Sequence, residues 1–103
     1  MPTANKSFQT TLYYIAPNGD RYNGQFIITE DLVRFEAQMH LASDGIKDVE
    51  GQITIRREDI ASVVARSSYL IFKRLLIQCH DGSSYLFDRG VVSVRPILNL
   101  LQQ

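Results

Sequence analysis

One cysteine, Cys79, stands in this chain of 103 residues, so no intrachain disulfide can staple the fold. Small secreted domains of this size often depend on such staples, and a reducing compartment fits the lone thiol better. Charge of either sign is not in excess: eleven Lys and Arg residues balance eleven Asp and Glu, a formal net charge of zero. Nucleic-acid binders take most of their affinity from neutralised phosphates and carry a clear basic surplus, so that partner class is set aside. Apolar runs are short, none approaching the roughly 20 residues of a membrane span. The residues after Met1, PTANKSFQT, lack the charged and apolar regions of a signal peptide. Together these absences lead to the expectation of a soluble, cytoplasmic protein.

What is present is a globular composition. Hydrophobic residues make up 45% of the chain, enough for a core, and the length predicts one domain over 1–103 with a flexible start at 1–7. A chain this size buries roughly two-thirds of the surface it exposes when unfolded, so one modest core must carry the stability. Turn signals recur at short intervals: Pro17-Asn18-Gly19-Asp20, Ser43-Asp44-Gly45 and Asp81-Gly82-Ser83. Between them lie stretches rich in Ile, Val, Thr, Tyr and Phe, with no helical pattern long enough for a crossover. That spacing predicts an antiparallel meander.

Seven strands are expected, at about 8–16, 21–29, 32–39, 51–56, 60–66, 72–80 and 84–88. In the third, Val33, Phe35 and Ala37 alternate with Arg34, Glu36 and Gln38; in the fourth, Ile53 and Ile55 alternate with Gln52, Thr54 and Arg56. Both patterns describe strands with one wet face. Leu75, Ile77 and Cys79 share the buried face of the sixth. The period then changes, and Val94, Ile97, Leu98 and Leu101 fall on one helical stripe. Ser93 suits the N-cap, Pro96 then sits in the first turn, and Val92 is placed to staple against Ile97. Burying that stripe is worth on the order of 6–12 kcal/mol gross. A helix this short must dock on the strands to be stable.

Signatures of known chemistry are absent: there is no P-loop, dinucleotide fingerprint, paired C-x-x-C or H-E-x-x-H. Cys79 and His80 are strand neighbours whose side chains point to opposite faces, so they cannot share a metal ion. His80, Asp81 and Ser83 hold the residue types of a hydrolytic triad but lie together in one turn, where a relay drawn from separate elements cannot form. The expectation is therefore no enzyme, no catalytic residue, no metal and no cofactor.

Several stretches resemble a known family. Gly24-Gln25-Phe26-Ile27-Ile28-Thr29-Glu30-Asp31-Leu32-Val33-Arg34-Phe35 is similar to the GRAM pattern of glycine, an apolar strand ending in Thr, a polar turn and an apolar strand ending in Phe. Ile53-Thr54-Ile55-Arg56-Arg57-Glu58-Asp59-Ile60-Ala61-Ser62-Val63 resembles the family's I-x-I-x-x-x-D-I-x-x-V stretch. Leu75-Leu76-Ile77, Asp81-Gly82, Tyr85-Leu86-Phe87 and the last helix follow in the family's order. The resemblance to GRAM and bacterial pleckstrin-homology-like domains covers roughly residues 22–102. It implies a mainly β fold, a seven-stranded split barrel or sandwich of antiparallel strands capped by one C-terminal helix, and a module that binds lipids or proteins. One departure bears on the ligand. Phosphoinositide-binding members cluster Lys and Arg around the first strand pair, where this chain has Arg21 beside Asp20, with Lys6 upstream.

The stretch Arg66-Ser67-Ser68-Tyr69-Leu70-Ile71-Phe72-Lys73-Arg74 is the candidate binding site. Four consecutive large apolar residues bracketed by three cations are unusual in a connection. Tyr69, Leu70 or Phe72 at a hairpin tip would enter a partner groove or a membrane interface, with Arg66, Lys73 and Arg74 facing an acidic surface. The competing account starts the sixth strand earlier and buries alternate members of the run. Arg56-Arg57-Glu58-Asp59 reads as a solvated, self-neutralising turn. Of Tyr13 and Tyr14, one must face outward. Three functions follow in order: an interaction module for a protein partner or for self-association; a peripheral adaptor on an anionic membrane; and a small-ligand carrier or enzyme with a barrel cavity.

Overall fold

The computed structural model describes residues 7–37, 41–42, 45–46, 52–68 and 71–102, with the side chains of 41–42, 45–46, 67–68 and 71–72 left aside. The elements in chain order are β1 (Phe8–Ile15), β2 (Arg21–Ile28), β3 (Leu32–Ala37), β4 (Leu41–Ala42), β5 (Gly45–Ile46), β6 (Gln52–Arg56), a 3-10 turn (Arg57–Asp59), β7 (Ile60–Ser68), β8 (Ile71–Cys79), β9 (Ser84–Asp88) and α1 (Arg95–Leu101). Seven of the strands form one open antiparallel sheet in the order β6-β3-β2-β1-β9-β8-β7, and β4 and β5 make a separate two-residue ladder. The seven long strands match the expected ones to within two residues at most ends. The expected flexible start at 1–7 falls, except for Ser7, outside the described residues.

The sheet is a meander closed in its middle. β9 pairs with β1 through Tyr13↔Asp88, Tyr14↔Phe87 and Ile15↔Leu86, which joins the early strands to the late ones. The sheet also rolls over on itself. Three strand spacings separate β3 from β9, which is about 14 Å in a flat sheet. Phe35 of β3 and Phe87 of β9 nevertheless meet with ring centroids 5.8 Å apart, and Phe26 of β2 meets Phe87 edge-on at 4.9 Å. Tyr14 completes the group at 5.6 Å from Phe87 and 5.9 Å from Phe35. Each such pair adds about 0.5–1.5 kcal/mol beyond area burial.

Alternation decides which residues reach this core. Val33 and Phe35 of β3, Ile53 and Ile55 of β6, and Leu75, Ile77 and Cys79 of β8 are all buried, as period-two patterning predicts. Gly24 in β2 is there for closeness: a Cβ would lie 2.3 Å from the Glu36 carbonyl oxygen and 2.7 Å from Ala37 Cα. Only glycine lets β3 approach at this point.

The helix docks as expected, with two differences in detail. Val94 and Ile97 are fully buried while Leu98 and Leu101 are half-buried. The N-cap is Val94 rather than Ser93, although the Ser93 hydroxyl still accepts from the Arg95 N–H at 3.1 Å. Val92 is exposed and forms no staple; Val94 takes the apolar contact instead because it lies inside the turn that meets the strands. The far end is held by Arg57, whose guanidinium donates to the carbonyls of Thr29 (3.1 Å) and Leu100 (2.9 Å). Half of the self-neutralising turn is therefore a clamp. Arg56 pairs with Glu58 at the surface, while Arg57 ties the β2–β3 turn to the last turn of α1.

Candidate functional site

Strands β1, β9, β8 and β7 lie side by side and send Leu12 and Tyr14, Phe87, Leu75 and Ile77, and Val63 inward, which leaves a second, outer face with its own order. Ile15↔Leu86, Leu86↔Leu76 and Leu76↔Val64 are direct cross-strand partners, so four aliphatic side chains form a row across four strands. They stand apart from the core cluster and the residues packed on it. Ile15, Leu76 and Leu86 are half-buried and Val64 is 44% exposed. Directly opposed partners on one face have Cβ atoms about 4.5–5.5 Å apart, so the row is continuous. Beside it, Pro17, Gly19 and Ser84 complete a shallow depression with Ile15, Leu76 and Leu86.

The next row, two residues along each strand, is polar: Tyr13↔Asp88, Asp88↔Arg74 and Arg74↔Arg66. Asp88 is 1% exposed, and among the described residues it is the buried charge of the molecule. A buried carboxylate needs partners. Arg74 Nε donates to Asp88 Oδ2 at 3.1 Å, the Gly90 N–H donates to Oδ1 at 2.7 Å, and an Arg21 guanidinium nitrogen stands 3.8 Å from Oδ2. Arg21 also covers the Tyr13 ring at 4.9 Å from its centroid. Gly90 reaches the carboxylate from a backbone with φ of 76°, a conformation other residues adopt at a cost.

Arg66 is the odd member. It lies exposed directly opposite Arg74, and like charges in that position repel. Asp88 draws Arg74 away; among the described residues Arg66 has no carboxylate partner.

The residues expected at the site separate on the structure. Arg66 and Arg74 stand together on the outer face as cross-strand partners. Lys73 is the extra residue of a β-bulge between the pairs Arg66↔Arg74 and Ser67↔Phe72, and its carbonyl accepts from the Arg89 N–H at 2.8 Å. Phe72 is on β8 opposite Ser67 rather than at a hairpin tip, because β8 begins at Ile71. Tyr69 and Leu70 lie outside the described residues. Tyr13 is the outward member of the tyrosine pair and Tyr14 the buried one.

Asp88 and the aliphatic row were missed from sequence, while Arg21 and the outward member of the Tyr13/Tyr14 pair were noted there without being placed at this site. A signal for the row existed: Leu75-Leu76-Ile77 breaks alternation, so one of its members had to face away from the core.

Elsewhere the chemistry is spare. Among the described residues no group of His, Cys, Asp and Glu could hold a metal ion. In the β8–β9 turn, both the hydroxyl and the N–H of Ser83 donate to Asp81 Oδ1, at 2.6 and 2.9 Å. Those bonds, the hydroxyl first, hold the Asp81 carboxyl below its ordinary pKa. The Ser83 proton is thus committed to a carboxylate two residues away, which is turn chemistry. Among the described residues no helix is long and apolar enough to cross a membrane.

No family model matches the chain, and no curated protein matches it. Among solved structures, the chain is similar to the C-terminal domain of an unknown protein from Leishmania infantum, at 11% sequence identity and a TM-score of 0.69. The match covers 93% of this chain and 80% of that one. At this identity the likeness is one of fold.

Proposed function

We propose that the chain is a non-catalytic, pleckstrin-homology-like interaction module that binds a protein partner on the outer face of β1, β9, β8 and β7. Support for the architecture comes from the meander order, from β1 bridging its two halves, from the aromatic rings packed between them, and from α1 docked beside β7. The reading places the module in the cytoplasm, where the buried thiol of Cys79 stays reduced.

The observation that carries the binding face is the row Ile15–Leu86–Leu76–Val64. Its members stand outside the core cluster and the residues packed on it, so core packing does not account for four aliphatic side chains in line. Contiguous exposed apolar surface rimmed by polar groups is the usual mark of an interaction site. The test is affinity capture from the native host with wild type and with a Leu76→Glu/Leu86→Glu double variant of matched thermal stability. Loss of the captured proteins in the variant supports the reading. Equal capture by both would remove the face from consideration.

A peripheral adaptor on an anionic membrane is the second reading, and a specific observation favours it. Val91 is 86% exposed and Val92 is exposed beside it, on a linker fastened to β8 by the Arg89–Lys73 backbone bond. Exposed apolar side chains on a linker bonded to the Lys73 backbone suit a headgroup surface. Pelleting with phosphatidylserine vesicles that is lost at high salt would establish this reading, since headgroup attraction is screened and apolar protein contacts are not.

A further inference from the structure

The outer face carries two parallel rows of different character, and their geometry limits what can lie on them. Along the basic row, Arg21 and Arg74 share the single carboxylate of Asp88 and Arg66 has no carboxylate partner among the described residues, so the row holds a net positive charge on a chain whose formal charge is zero. The aliphatic row runs alongside it, two residues away along every strand, a separation of about 7 Å. Each row crosses four strands, about 14 Å from end to end. Arg66 extends the positive end of the basic row, opposite Val64 at the end of the aliphatic one.

We propose that this face binds an extended partner segment in which acidic and aliphatic residues alternate, lying along the rows and across the strands. An extended segment sends successive side chains to opposite sides, and same-side neighbours recur about every 6.8 Å. Aliphatic members therefore drop on the Ile15–Leu86–Leu76–Val64 row while acidic members reach Arg74 and Arg66 on the other side. Five residues cover the length of the rows. A second copy of this chain is disfavoured as occupant, because apposing two such faces in either direction adds one positive row to the neighbourhood of another. This inference rests on the protein-binding reading above and adds the chemistry of the partner.

The full chain, isotope-labelled, is titrated by NMR with the capped peptide Leu-Glu-Leu-Glu-Leu and with the Lys and Gln counterparts in place of Glu. So small a footprint belongs to the weak class of contacts, so the titration runs to about 5 mM. The expected result is saturable movement of amide signals around Arg74, Leu76 and Leu86 with the acidic peptide only. Affinity should fall at least roughly fivefold between about 50 and 500 mM salt, and by a similar factor in Arg66→Glu. Arg66 is exposed and has no carboxylate partner among the described residues, so that variant should keep the wild-type spectrum elsewhere. No movement at the highest concentration, or equal movement with the Lys or Gln peptides, would overturn the inference. So would signals that shift with protein concentration alone, which would make a second copy the occupant. If the acidic peptide fails while Leu76→Glu/Leu86→Glu still abolishes capture from the host, the protein-binding reading stands and only the partner's chemistry is wrong. If both fail, the face itself is wrong.

Discussion

The same four strands present two apolar faces that do different work. On the inner face, Phe87 and Leu75 are fully buried, and Phe87 meets the rings of Phe26, Phe35 and Tyr14. On the outer face, their chain neighbours Leu86 and Leu76 stand in a row outside the core cluster and the residues packed on it. Residues one position apart, of one chemical class, thus differ in whether folding needs them. Hydrophobicity alone does not tell a core position from a contact position; the partner across the strand and the side of the sheet do.

The sharpest way to break that comparison is to truncate one residue from each face. Phe87→Ala should cost about 3–5 kcal/mol in urea unfolding, while Leu86→Ala should cost about 1 kcal/mol or less. For a domain of this length the former lowers Tm by on the order of 12–30 °C. Comparable losses at both positions would mean that the two faces are one packed interior.

Smaller effects sharpen the boundary between the faces. Gly24→Ala should cost about 1–3 kcal/mol, because the new methyl meets the β3 backbone, which cannot step aside. Arg74→Ala should cost about 1–3 kcal/mol by leaving Asp88 with Arg21 and the Gly90 N–H alone, and Arg66→Ala should cost nothing measurable. Equal costs at the two arginines would show that Arg66 has a structural partner. The smallest effect belongs to Asp81. Its carboxyl is lowered in the folded chain by the Ser83 bonds, so its contribution is present above the ordinary aspartate pKa and is lost as pH falls through the lowered folded value. Ser83→Ala should therefore bring the Asp81 pKa back up toward its ordinary value, read by NMR titration.

Much of the fold was legible because period two and turn chemistry are local. The alternation of Val33 and Phe35, or of Ile53 and Ile55, names its buried face without reference to any other strand. The last stripe, with Pro96 in its first turn, likewise announces a docked helix. Boundaries that depended on tertiary partners were less legible. Ser93 looked like the cap, yet Val94 holds that position because its side chain is needed underneath the helix. Arg57 looked solvated, yet two carbonyls from distant elements claim it.

The candidate site was legible only at one edge. Arg66 and Arg74 could be suspected from their place around the apolar run. Their alignment with Asp88 and Tyr13 depends on β9 pairing with β1, a contact between residues some 75 apart in sequence. Nothing in a linear pattern joins Ile15 to Val64.

The measurement that tests the central claim most directly is urea unfolding of the Leu76→Glu/Leu86→Glu double variant beside wild type. If the outer row is spare surface held for a partner, the two should unfold within about 1 kcal/mol of each other with the same m-value. A loss of about 3 kcal/mol or more would mean that the row is part of the core, and the account of this face as a binding surface would be wrong.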